Sequence, residues 1–278
     1  MGELGHFLQR NRLGAVGGAV LLLMLLAIAL APLLIAESPI AIDIGRKLAA
    51  PSLAHPLGTD FFGRDVLSRV LYGGRFTLAI GLGVVILAFA VGVAFGTVAG
   101  FAGGATDMIV MRIVDALLSF PSLVLAIALA ASFGPSLSTA MLAVAITLAP
   151  QFARVARGQA LAISVRPYVE AAMAIGVSTP RLLLRYILRN GIGPLLVQAS
   201  LSLGSAILQT ASLGFLGLGA QPPIPEWGAD VAGNMQYVRE APWVALAPGI
   251  AILLAVLCFN LIGDGLADWF NPRKRNVR

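Results

Sequence analysis

Long stretches without a single charged residue alternate along this chain with short polar segments. Five such stretches stand out: Leu13 to Ala36, Phe76 to Thr106, Ala116 to Ala153, Asn190 to Pro225 and Ala241 to Gly263. A helix of about 20 apolar residues crosses a hydrocarbon core of roughly 30 Å, so each is long enough to span a membrane. The third stretch has 38 residues and, at about 1.5 Å rise per residue, would reach roughly 57 Å. That is too long for one crossing, and Phe133-Gly-Pro-Ser136 near its centre is a turn signature. The stretch predicts a hairpin of two helices. The pattern as a whole predicts an all-α polytopic membrane protein with six transmembrane helices and both termini on one side.

The polar segments add detail. Glu37 to Arg75 is expected to form an external loop. Within it, Phe61 to Tyr72 places Phe62, Val66, Arg69 and Val70 at helical spacing, with Asp65 and Arg69 one turn apart, which predicts an amphipathic helix lying in the membrane interface. Residues 1–75 thus read as an N-terminal tail, a first span and this loop, and residues 76–278 as a five-helix core with a cytoplasmic loop at 154–190. Gly92, Gly96 and Gly100 recur one turn apart, the small-residue face that lets membrane helices approach closely.

Composition agrees. Hydrophobic residues make up 58% of the 278 and charged residues 12%, far below the soluble average of about 25%. The formal charge of +6 could suit nucleic acid, but Lys and Arg collected in cytoplasmic loops produce the same balance. With the N-terminus inside, 13 of the 19 Lys and Arg residues fall on the cytoplasmic side, including Arg154, Arg157, Arg166, Arg181, Arg185 and Arg189. Six, among them Arg46, Arg64, Arg69 and Arg239, fall outside. The 24-residue first stretch exceeds the usual signal-peptide core of about 7 to 15 residues, which favours an uncleaved span over a cleaved leader at Ala29-Leu-Ala31. The single cysteine, Cys258, sits in an apolar run as a small hydrophobe. His6 and His55 stand apart, with no metal-ligand spacing, so no metal is expected. No G-x-x-x-x-G-K-[ST] phosphate loop occurs, so the chain is not expected to be an enzyme that hydrolyses ATP by itself.

One arginine-rich polar island, Arg154 to Arg189, interrupts the lipid-soluble pattern. It predicts two short helices: Pro167 opens the first, Gly176 supplies the turn after Ile175, Thr179 caps the second with Pro180 at its first position, and Asn190-Gly191 closes it. Leu183, Tyr186 and Ile187 share a face there, with Arg181, Arg185 and Arg189 pointing largely elsewhere.

Glu170-Ala171-Ala172 followed by Gly176 and an apolar helix resembles the EAA loop of ABC importer permeases, which docks into a groove on a cytoplasmic ATPase. Further motifs make the chain similar to the shorter-loop permeases for dipeptides, oligopeptides and nickel. They are His55-Pro-Leu-Gly-Thr-Asp60 with Gly63-Arg-Asp65 and Ser68-Arg69, Met111-Arg112 with Asp115, Phe120-Pro121, Phe215-Leu-Gly-Leu-Gly219, Pro225-Glu-Trp-Gly228, and Phe259-Asn-Leu-Ile-Gly-Asp-Gly265 ending in Asn271-Pro-Arg273. Two departures stand out: Leu188-Arg-Asn190 replaces the family's Leu-Pro-Asn, so the second coupling helix can run on without a kink, and Asn271 replaces the closing Asp. With Ala156-Arg-Gly-Gln-Ala160 and Val197-Gln-Ala-Ser200, the Leu-Arg-Asn variant looks closest to permeases for small dipeptides such as D-alanyl-D-alanine.

The resemblance implies a type I ABC importer permease (MetI-like) fold in the bacterial inner membrane. It implies as partners a second permease subunit, two ATPases carrying ATP and Mg, and a periplasmic or lipid-anchored binding protein, with no cofactor held by this chain. Residues 170–172, Gly176, Leu183, Arg185, Tyr186 and Ile187 then become ATPase-coupling residues. Membrane-buried polar groups mark pathways, and Gln198, Ser202, Ser205, Gln209 and Ser212, with Gln151 and Thr210 nearby, are candidates for lining one. Ser and Thr in apolar helices also bond their own backbone, which is the competing role. Pro222 to Trp227 reads as an external element near the binding protein, with Trp227 anchored at the interface. Nickel or another small solute is the alternative cargo. An ion-gradient-driven transporter would instead need ionisable residues in the middle of spans, and the sequence offers none convincingly.

Overall fold

The computed structural model describes residues 11–35 and 37–270. His6, Arg10 and the closing Asn271-Pro-Arg273 lie outside them. Regular structure among the described residues is helical, apart from one isolated β-bridge between Thr59 and Asp65. Helix α1 (Arg12–Leu34) starts at Asn11, whose side chain accepts from the Gly14 N–H at 3.0 Å. After the 37–65 segment come α2 (Val66–Ala102), α3 (Gly104–Leu118), α4 (Ser122–Phe133) and α5 (Leu137–Ser164). The short α6 (Pro167–Ala174) precedes α7, a continuous helical stretch Thr179–Phe215, and then α8 (Trp227–Asn234) and α9 (Trp243–Phe270).

Five helices, α1, α2, α5, α7 and α9, are each long and apolar enough to cross a membrane. The hairpin turn falls where expected: Gly134 takes φ +88°, and Ser136 caps α5 by accepting from the Thr139 N–H. The arm before it is not a straight span. At about 1.5 Å per residue, 12-residue α4 reaches only about 18 Å, and it meets α3 at a 92° bend across Ser119-Phe120-Pro121. Pro121 brings no N–H to a helical ladder and disfavours helical backbone at Phe120, so the chain breaks there. The sixth expected crossing is therefore a bent pair.

Small residues set the packing. A Cβ on Gly92 would come within 2.3 Å of the Ala149 carbonyl, on Gly96 within 2.1 Å of that of Ala153, and on Gly100 within 2.7 Å of that of Arg157. The glycine face thus seats α2 directly on the backbone of α5, the expected role. Above this seam Val84, Ala88, Val144, Leu148 and Phe152 form a core with Leu195 and Leu213 of α7. In lipid such close contact is the main attraction between helices, because no hydrophobic force separates lipid-facing from protein-facing leucines.

The 37–65 segment contains no interfacial helix. Residues 66–72 are instead the first turns of α2, capped by Asp65, whose Oδ2 accepts from the Ser68 N–H at 2.7 Å. Arg69 does not pair with Asp65; it is buried against Asp230. The motif His55 to Asp65 is a cross-brace. Arg46 Nη1 lies 2.8 Å from His55 Nε2 and can only donate, so the ring carries its proton on Nδ1, 3.0 Å from Asp65 Oδ1. Asp60 accepts from the N–H groups of Phe62 and Arg64 and pairs with the Arg64 side chain at 2.6 Å. Gly63, at φ +73°, lies so close to Asp43 that a Cβ would overlap its carbonyl.

Candidate functional site

The polar island folds into the two helices expected of it. Pro167 occupies the first turn of α6. The helix ends in a Schellman motif: Gly176, at φ +79°, donates its N–H to the Met173 carbonyl, and Val177 donates to the Ala172 carbonyl, both at 3.0 Å. Ser178 rather than Thr179 is the N-cap of the next helix, without a side-chain hydrogen bond, which moves Thr179 and Pro180 one position inward. That helix does not close at Asn190-Gly191. It passes through a π-helical segment, Leu182–Leu188, and continues as an α-helix to Phe215. Packing overrides the glycine signal here. Gly191 sits against Gln159, where a Cβ would come within 3.0 Å, and Gly193 against the Phe270 ring, within 2.9 Å.

The predicted coupling residues divide into two groups. Ala172 and Ile187 are buried, and Ile187 joins Val169, Ala160 and Ile163 in a small core flanked by Leu183, Tyr186 and Phe101. These side chains fasten the island to α5 and α2. Glu170, Ala171, Gly176 and Arg185 are exposed, as are Arg181 and Arg189. Sequence reasoning missed the apolar part of the same surface: Tyr168, Met173, Ile175 (81% exposed) and Leu184. Large apolar side chains bared beside arginines are what a protein-docking patch looks like. The signal was available for Leu184, which lies off the face shared by Leu183 and Ile187.

The polar positions of α7 come together in part. Gln198 Nε2 lies 3.3 Å from Gln151 Oε1 on α5 and 3.2 Å from Ser202 Oγ, and Thr147 Oγ1 lies 3.4 Å from Gln209 Oε1. Gln198, Ser202 and Gln209 therefore face a polar seam on α5 made by Thr147 and Gln151. Ser212 and Thr210 instead donate to the Leu208 and Ala206 carbonyls of their own helix, and Ser205 is exposed. Asp115 meets Arg154 of α5 at 2.7 Å, and Asp107 makes a bidentate pair with Arg157 at 2.5 and 2.6 Å. Both pairs tie α3 to the C-terminal half of α5.

A second polar cluster was not foreseen. Glu226 is 1% exposed; it caps α8 by accepting from the Gly228 and Ala229 N–H groups at 3.0 and 2.8 Å, and it accepts from Thr77 Oγ1 at 3.1 Å. Burial raises its pKa above the ordinary carboxylate value. Trp227 is no interfacial anchor: it is fully buried, and its indole N–H donates to the Val70 carbonyl at 2.8 Å. A ring aimed at lipid headgroups and one aimed at a backbone carbonyl carry the same sequence signature. Burial also pushes Asp230 up to about 6, against the opposing pull of Arg69.

A bundle of apolar helices with a glycine-seated α2–α5 seam carries an exposed basic helix–turn–helix, as the resemblance to ABC importer permeases implies, and the comparisons with known proteins agree. The chain belongs to the family of binding-protein-dependent transport system inner membrane components, whose profile matches residues 92–276. It is 48% identical over 271 residues to the probable D,D-dipeptide transport system permease protein DdpC of Escherichia coli K12, covering 98% of this chain and 91% of that one. It is 42% identical over 269 residues to the dipeptide transport system permease protein DppC of Alkalihalophilus pseudofirmus, covering 97% and 88%. Its fold is that of a chain in the MetNI methionine ABC transporter, solved in inward-facing conformations, with TM-score 0.58 at 18% identity over 73% of this chain and 96% of that one.

Proposed function

We propose that this chain is one of two permease subunits of an ATP-driven importer of dipeptides and other short peptides, D,D-dipeptides foremost. The names of its relatives support that cargo, as does the Leu188-Arg-Asn190 variant. Both termini lie in the cytoplasm, a binding protein delivers peptide from outside, and two ATPase subunits supply ATP and Mg. This chain holds no cofactor and catalyses no reaction.

The observation that carries this mechanism is the continuity of α7. Its first residues, Thr179 to Arg189, sit in the exposed island, and its middle carries Gln198, Ser202 and Gln209 at the seam with α5. An ATPase that grips Tyr168, Glu170, Ala171, Met173, Ile175 and Arg185 and then closes on its twin displaces α6. Ile187 and Val169, packed in one core, pass that displacement to α7. Tilting α7 against α5 opens or closes the glutamine seam, whose amides can exchange their mutual hydrogen bonds for those of a peptide backbone. The test is uptake by the complete transporter in proteoliposomes. Labelled D-alanyl-D-alanine should accumulate only with ATP inside and binding protein outside, and Gln198→Leu should reduce uptake while leaving ATPase binding intact. Accumulation driven by an ion gradient without ATP would contradict it.

A further inference from the structure

Leu182 and Ile187 are five residues apart, yet both are buried, at 3% and 1% exposure. In an α-helix positions five apart point about 140° away from each other at about 100° per residue, so one of them would normally face outward. Here residues 182–188 are π-helical, with hydrogen bonds closing over five residues instead of four, which turns positions five apart toward one side. Such segments are rare and concentrate at functional sites.

Three further features single out this one. The sequence here is a leucine triplet, Leu182-Leu183-Leu184, of which the first is buried, the second packs at the edge of the small core and the third is exposed. A shift by one residue would therefore bring Leu183 to the place of Leu182 and Leu184 to that of Leu183, so both inward positions keep a leucine. Asn190 Nδ2 donates to the Tyr186 carbonyl at 2.6 Å, a side-chain partner for a carbonyl at the junction where the π pattern returns to α. Beyond the junction the helix is pinned, by Gly191 on Gln159 and Gly193 on Phe270, so any change of register is confined to residues before Asn190.

We propose that the Leu182–Leu188 segment is a register switch, held in its π form by Asn190 as a positioning residue. Converting it to α-helix during the ATPase cycle moves Leu183 into the place of Leu182. A one-residue slip is about 100° of rotation and about 1.5 Å of travel. It would turn the island relative to the body of α7, so that a swivel of the docking face accompanies the tilt of the span. This rests on the coupling reading above.

The test uses the complete transporter, purified with its ATPase subunits, in a Cys258→Ala background. Maleimide labelling of Leu182→Cys and Leu184→Cys is compared without nucleotide and with the ATPases trapped closed by ATP and vanadate. Leu182→Cys should be protected without nucleotide and react roughly tenfold faster or more when trapped, as burial gives way to exposure; Leu184→Cys should become slower. A docked ATPase can shield a residue but cannot expose one, so the gain at Leu182 is diagnostic. Deleting Leu184 removes the extra residue, so an all-α segment keeps residue 182 at its buried place and Leu182→Cys should stay protected in both states with the ATPase still bound; Asn190→Ala should raise its reactivity without nucleotide. Protection of Leu182→Cys in both states, with hydrolysis still driving uptake, overturns the switch and leaves the coupling reading standing. Failure of the ATPase to co-purify with the unmodified chain overturns the coupling reading, and the switch falls with it.

Discussion

Arg69, in the first turn of α2, and Asp230, in α8, form a buried ion pair across 161 positions of sequence. Nε and Nη2 of Arg69 both donate to Asp230 Oδ1, Nη1 donates to the Pro39 carbonyl at 2.9 Å, and Oδ2 of Asp230 has no hydrogen-bond partner among the described residues. Together with the Trp227 indole on Val70, the pair fixes α8 against the start of α2.

Removing one member of a buried pair strands the other charge, at a cost of about 3–5 kcal/mol. Arg69→Ala should therefore lower thermal stability in detergent sharply, whereas Arg64→Ala, whose partner Asp60 keeps two backbone N–H donors, should lower it less. Melting followed by loss of monodisperse protein measures both.

The same pair gives a pH dependence of definite sign. Asp230 titrates near 6 in the folded protein against 3.8 as its ordinary value, with burial the main cause. Between those values the folded protein keeps a proton that the unfolded chain has released, so stability falls as pH rises through the window and levels off above it. Asp230→Asn removes this contribution. The difference in melting temperature between wild type and Asp230→Asn should change between about pH 4 and 6 and stay constant above about pH 7.

The α2–α5 seam predicts a contrast between two glycines. Gly96→Ala forces a Cβ onto the Ala153 carbonyl and should destabilise by about 1–3 kcal/mol, as overpacking does. Gly158, where an added Cβ would meet no described atom beyond its chain neighbours and its own helix backbone within 4 Å, should accept Ala without loss of stability and gain up to about 1 kcal/mol of helix propensity. Thermal melting of the two variants side by side decides it.

The apolar stretches, the turn at Gly134, the glycine face and the two-helix island with its break at Gly176 were all legible in the sequence, because each is encoded locally. The partner of Arg69 was not legible, because helical spacing reveals neighbours one turn away, such as Asp65, and nothing about a partner in α8. The bend at Pro121 was hidden by the uninterrupted apolar run around it. The continuation of α7 past Asn190-Gly191 depends on Gln159 and Phe270, which stand far away in sequence. The π segment has no pattern of its own: three leucines satisfy an α face and a π face equally.

Orientation rests on the distribution of Lys and Arg and can be read with single cysteines in a Cys258→Ala background. Ser52→Cys and Ile224→Cys, both exposed, should react with an impermeant thiol reagent in intact cells, and exposed Ser178→Cys should not. Labelling at Ser178 from outside would reverse the topology.

That the exposed face of α6 grips the ATPase is tested most directly at Ile175, which is 81% exposed and follows the last residue of the helix. Ile175→Asp changes no buried contact, so the protein should insert and melt normally. A charge at the centre of a docking patch should cost roughly 2 kcal/mol or more of binding, about thirtyfold. Pull-down of the ATPase and uptake of labelled dipeptide, measured on the same membranes, should both fall together. Normal pull-down and normal uptake for Ile175→Asp would contradict the docking role of this surface.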